Sequence, residues 1–166
     1  MAIVIALPIL SFLLVLQSAV FSRIVLLKGT ADLVLIALIA WAVQKRVKTA
    51  WYWCIIGGLL VSYVSALPLG AVFIGYILAV GFALILRQQV WQVPILAMFI
   101  ATIVGTILVQ MVAYASLRIS GTGIPFWQSI NLILIPSILI NTVLAIPFYA
   151  LFNDLAKWLY PEVLEV

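Results

Sequence analysis

The chain is poor in charge. Eight Lys/Arg and four Asp/Glu occur in 166 residues, 7% against the roughly 25% of a soluble domain, and nearly all sit in short gaps between long apolar runs. Hydrophobic residues make up 68% of the chain, so the solvent in which it folds is lipid. Histidine is absent, which removes the commonest proton shuttle and transition-metal ligand. Cysteine occurs once, as Cys54 inside an apolar run. Neither an internal disulfide nor a cysteine metal site is available, and Cys54 reads as a small packing residue. Acids are as scarce: Asp32 is the sole one near a span ahead of a tail holding Asp154, Glu162 and Glu165. Paired carboxylates, a nucleophile beside a base and a phosphate-cradling glycine loop are missing from the sequence. The expectation is a protein that is not an enzyme, takes no cofactor or metal and binds no nucleic acid. The lack of intramembrane charge also disfavours proton- or ion-coupled transport.

What is present is a succession of apolar runs without the period-2 alternation of a barrel strand, which predicts helices. Spans are expected at about 2 to 22, 31 to 46, 50 to 66, 69 to 87, 92 to 117 and 128 to 153. The fold class is therefore an all-α, polytopic membrane helix bundle of about six transmembrane helices, residues 1–166 forming a single transmembrane domain. The second and third spans are short, and a five-span reading stays open if they pair as a shallow hairpin. The first run lacks a Lys/Arg n-region and is followed by further spans, so it reads as a retained helix rather than a secretory signal. With six spans and an inside N-terminus, Lys45, Arg46, Lys48, Arg87 and Lys157 fall on one side and Arg23, Lys28 and Arg118 on the other. That bias predicts cytoplasmic N- and C-termini. Trp51, Trp53, Trp91, Trp127 and Trp158 lie near predicted span ends, where an indole suits the headgroup layer. The tail from Asn153 is expected to leave the membrane as a frayed interfacial helix stopped by Pro161.

Two small-residue stripes stand out. Cys54, Gly58, Ser62 and Ala66 recur every four residues on the third span, and Ala71, Gly75, Ala79 and Ala83 on the fourth. Small residues let helix backbones approach closely in lipid, either within the bundle or as a docking groove for another protein's helix. Thr102, Thr106 and Gln110 form a polar stripe on the fifth span, and Ser137 and Asn141 on the sixth; they serve interhelical hydrogen bonds or line a ligand cavity. Asp32, after Gly29-Thr30, is placed to cap the second helix, with Lys28 close enough to pair with it. Pro68 suits a first helical turn and Gly70 a tight backbone contact. Pro136 and Pro147 should each kink the sixth span, since each removes a backbone donor.

The order of these features resembles the rod shape-determining protein MreD family. Four places carry the likeness: Leu16-Gln17-Ser18 closing the first span, Ala31-Asp32-Leu33-Val34-Leu35 opening the second, Gly57-Gly58-Leu59-Leu60 leading through Ser65 to Pro68-Leu69-Gly70, and Pro136 ahead of Asn141 in the last. Asp32, Pro68, Gly70, Pro136 and Asn141 match the family; Ala31 stands where it often has proline, and the region of Ser62, Ser65 and Ala66 lacks a second aspartate. The resemblance implies a non-enzymatic component of the bacterial elongation machinery in the inner (cytoplasmic) membrane. Such a component binds the single-span protein MreC and helps couple MreB filaments to the cell-wall synthases of lateral peptidoglycan synthesis. Its partners would be membrane lipid and these proteins. The small stripes and Asn141 are the expected contact residues.

The alternative is a substrate-binding membrane subunit resembling the S component of an energy-coupling-factor vitamin transporter, which has similar size and six spans. Ala2 and Ala6 even form an Ala-x-x-x-Ala on the first helix, the kind of motif those proteins use for docking. Such a subunit takes a small-molecule substrate and needs convergent polar groups in an outward pocket. The predicted outer loops supply few beyond Arg23, Lys28, Arg118, Ser120 and Gln128.

Overall fold

The computed structural model describes residues 2–19, 29–68, 70–89, 93–121 and 125–161. Expectations resting on Arg23, Lys28, Trp91, Glu162 or Glu165 lie outside the described residues. Within them the chain is all helical: α1 (Ala2–Ala19), α2 (Leu33–Val43), α3 (Ala50–Val64), α4 (Ala71–Gln89), α5 (Pro94–Ile119) and α6 (Phe126–Leu159). Four of these, α1, α4, α5 and α6, are long and apolar enough to cross a membrane, while α2 and α3 are shorter.

The bundle is organised around its shortest helix. Every one of the eleven residues of α2 is buried, and each of the other five helices packs against it. The sequence Leu-Val-Leu-Ile-Ala-Leu-Ile-Ala-Trp-Ala-Val has no polar face to present, and a helix apolar all round belongs inside. Eleven residues rise about 16 Å at ~1.5 Å each, roughly half the ~30 Å hydrocarbon thickness. The expected second span, 31 to 46, is thus helical only over 33–43, as a short strut at the centre of the bundle.

The small residues permit this density. A methyl group at Gly75 would lie 3.1 Å from the Val109 Cα of α5, and one at Gly58 would lie 2.6 Å from the Phe73 ring of α4. One at Gly105 would lie 2.8 Å from Ile39 of α2 and 3.2 Å from Ala79 of α4. Ala79 and Ala83 are fully buried. The stripes on α3 and α4 are therefore taken up between helices of the same chain rather than turned outward as a docking groove; only Ala66, beyond the end of α3, is exposed.

Pro136, expected to kink the last helix, lies at an irregular stretch of it. It follows a π-helical turn, Ile130–Leu134, in which the Ile135 N–H reaches back to the Ile130 carbonyl. The widened turn sits where the ring would otherwise crowd the preceding carbonyls. Pro147 lies inside the regular part of α6. Pro68 precedes α4 instead of occupying its first turn; its carbonyl accepts from the Ala71 N–H, and Gly70 takes φ +93°, a left-handed conformation suited to glycine. The tail expected to fray from Asn153 is helical as far as Leu159.

One end of the bundle collects aromatics. Trp41 and Trp53 stack with ring centroids 4.4 Å apart, and Phe152 meets both edge-on. The Trp53 Nε1–H donates to the Ala2 carbonyl at 3.0 Å. Trp53 is fully buried, so it is a core residue and not part of a headgroup belt. Trp51, Trp127 and Trp158 are exposed. The Thr49 and Tyr160 hydroxyls meet at 3.2 Å at this same end, which brings Lys157 near the connection carrying Lys45, Arg46 and Lys48.

Candidate functional site

A helix that starts inside a bundle presents backbone donors that water cannot reach, and unpaired donors there cost several kcal/mol each in an apolar medium. The N-terminus of α2 meets this problem with side chains from two other helices and its own cap residue. The Gln17 Oε1 of α1 accepts from the Leu33 N–H at 2.8 Å and the Val34 N–H at 3.3 Å. The Asp32 Oδ1 accepts from the Leu35 N–H at 3.0 Å, so Asp32 is the helix cap its position predicts. The Asp32 N–H donates to the Asn141 Oδ1 of α6 at 3.0 Å. The Ile36 N–H then bonds the Asp32 carbonyl and starts the regular ladder. All four otherwise unpaired donors at this end are thereby satisfied.

The acceptors are held in turn. The Tyr76 hydroxyl of α4 donates to the Asp32 carboxylate, 2.7 Å from Oδ1 and 2.9 Å from Oδ2. The Asn141 Nδ2 donates to Thr106 Oγ1 at 3.0 Å, and Thr106 passes its own proton to the Thr102 carbonyl at 2.7 Å. Thr102, Thr106, Ser137 and Asn141 are all buried. The polar stripes of the fifth and sixth spans therefore meet one another, with Gln110 only partly buried. Before the helix, the Thr30 N–H donates to Ser137 Oγ at 3.2 Å. A methyl group on Gly29 would stand 2.5 Å from Pro136 Cβ and 2.8 Å from the Ser137 nitrogen, so only glycine fits at this crossing of extended chain and helix.

The other end of α2 is closed by a cation. The Arg87 Nη1 donates to the Gln44 carbonyl at 3.0 Å and the Val47 carbonyl at 2.9 Å. Here the chain leaves the helix in an extended conformation at Gln44. A guanidinium suits the negative end of a helix and supplies the donors its last carbonyls lack.

No family model, curated protein or solved structure matches the chain. Gln17, Asp32, Pro136 and Asn141 belong to three separate sequence motifs and come together at the start of α2. Beside them lies a recess of about 240 Å³ lined by Gln17, Ser18, Thr30, Ala31 and Ser65 with Leu14, Val61 and Val64. Gly58 and Gly75 lie apart from this junction, in helix contacts, as does Gly70 in its turn. Ser62 is half-buried, with an Oγ that meets no hydrogen-bond partner among the described residues.

Tyr76 and the closing role of Arg87 are not evident in the sequence. Tyr76 stands beside Gly75 in an apolar helix, where an aromatic reads as core, and Arg87 reads only as an orientation charge. The one available signal for Tyr76 is its share of the buried face formed with Val72, Ala79 and Ala83. Chemically, the Asp32 carboxylate holds a helix start and a phenol together. Among the described residues no group of three His, Cys, Asp or Glu gathers to hold a metal ion.

Proposed function

We propose that this protein is a non-enzymatic integral membrane scaffold of the bacterial cell-elongation complex, of the kind represented by the MreD family. In this reading it lies in the cytoplasmic membrane with about six passes and both termini inside, and it supports cell shape and lateral peptidoglycan synthesis. It binds an MreC-like single-span protein and links, directly or through it, to MreB filaments and cell-wall synthases.

The observation that supports the reading is the meeting of Gln17, Asp32, Pro136 and Asn141 at one junction. These residues were singled out by their order along the chain, and they hold together helices more than a hundred positions apart. A shared motif order is expected to persist where it builds the architecture common to a family. Gln17, Asp32, Tyr76, Thr106, Ser137 and Asn141 serve the start of α2 and one another, as suits a protein that works by presenting a rigid helical body to neighbours.

The experiment is depletion in a rod-shaped host. Loss of the protein is expected to turn rods into spheres and to lower recovery of a single-span periplasmic partner in pull-downs. Cells that kept their rod shape would sink the proposal. The substrate-binding alternative draws on the recess beside Gln17, but that glutamine already serves two backbone donors. A vitamin co-purifying with the protein would favour the alternative.

A further inference from the structure

The end of the bundle that carries most of the cations also carries a large recess, about 630 Å³, between the α2–α3 connection and the last turns of α4. Ligand sites typically enclose ~300–1,000 Å³. Lys45, Lys48 and Arg87 line it, together with Trp51, Gly81 and Ile85, and no Asp or Glu among the described residues does. Arg87 is not a free-swinging charge. Its Nη1 is pinned by the Gln44 and Val47 carbonyls, which turns the remaining edge of the guanidinium into a fixed donor edge, the geometry that suits a phosphate.

The lower wall is apolar and continuous with the lipid-facing side of the bundle. A methyl group at Gly81 would touch Trp51 at 3.6 Å, so the glycine keeps space open beneath the indole. Ile74, Leu78, Gly81 and Ile85 recur at helical spacing on one face of α4, and the three large ones are about half exposed. Trp51 is 47% exposed, as suits an indole at the membrane interface. A fixed cationic pocket thus opens directly onto an apolar track, an arrangement that matches a molecule with an anionic head and hydrocarbon tails.

We infer that this recess binds the phosphate of one anionic glycerophospholipid, such as phosphatidylglycerol, with its acyl chains along Ile85, Leu78 and Ile74. The site is separate from the junction at the other end of α2 and does not depend on the elongation reading.

The test uses the full chain in nanodiscs of phosphatidylcholine containing a minority of phosphatidylglycerol, with retained lipid counted by native mass spectrometry. One phosphatidylglycerol per protein is expected to survive release in preference to phosphatidylcholine. Lys48 is exposed, so Lys48→Gln leaves the packing intact. It should weaken retention about fivefold. Gly81→Leu keeps every charge but fills the space under Trp51, and it should also release the lipid. Millimolar inorganic phosphate should not displace it. Equal retention of the two lipids, unchanged retention in the Lys48→Gln variant, or displacement by phosphate alone would overturn the inference; the last would make this a site for a soluble anion.

Discussion

Replacing Asn141 by leucine keeps an apolar side chain of similar bulk in α6 and removes both of its polar contacts. The Asp32 N–H loses its acceptor at 3.0 Å, and Thr106 Oγ1 loses a donor at the same distance. The two losses are unequal. Thr106 still donates to the Thr102 carbonyl and is not stranded. The Asp32 N–H sits where α1, α4 and α6 converge and has no other acceptor, so its cost is that of a buried donor left unpaired, about 1–3 kcal/mol. The Asn141–Thr106 bond adds about 0.6 kcal/mol on the scale of interhelical bonds in bilayers. A total of about 2–4 kcal/mol follows, on the order of a 30- to 1,000-fold rise in the unfolding constant. Reversible unfolding in lipid bicelles, followed for the wild type, Asn141→Leu, Thr106→Val and the double variant, measures both the cost and the coupling. The Thr106 coupling should be the smaller share. An Asn141→Leu protein within about 0.3 kcal/mol of the wild type would refute the view that α2 depends on side-chain acceptors at its N-terminus.

Two further outcomes are expected. Gly75→Leu drives a side chain against the Val109 backbone, which cannot yield as a flexible side chain would. It should destabilise by about 1–3 kcal/mol in thermal melts in detergent, whereas Gly81→Ala, facing only an ordinary contact with Trp51, should melt like the wild type. Arg87→Met removes both donors from the Gln44 and Val47 carbonyls. Limited proteolysis should then cut the 44–49 connection faster, and Arg87→Lys should restore only part of the protection because an ammonium lacks the planar fork.

The membrane class and the positions of α1, α4, α5 and α6 were legible because length and hydropathy are what a bilayer selects. The cap role of Asp32 was legible because capping is local, depending on the residues just after it. Lateral position was not legible. Trp53 lies near a helix start and so resembles an interfacial indole, yet it faces Trp41 and Phe152, and only the packing of α3 against α2, with Phe152 reaching in from α6, decides that. The small stripes suited either an inner or an outer contact, since both demand close backbone approach. Gly75 became an inner one through Val109, thirty-odd positions away. The extent of α2 was overestimated because the expected span took in flanking polar residues that are not helical, held instead by Ser137 at Thr30 and by Arg87 at Gln44.

The central helix has a consequence for biosynthesis. Eleven residues are too few to be held by a bilayer on their own, and two backbone donors at their N-terminal edge, those of Thr30 and Asp32, rely on acceptors made much later. Ser137 follows Thr30 by 107 positions and Asn141 follows Asp32 by 109. Until α6 emerges, Gln17 and Asp32 can already serve the Leu33, Val34 and Leu35 N–H groups, but the Asp32 and Thr30 N–H groups have no acceptor from the last helix. The last helix therefore completes the start of the second, and a chain cut short before residue 137 lacks acceptors for two backbone donors near its beginning rather than at its broken end.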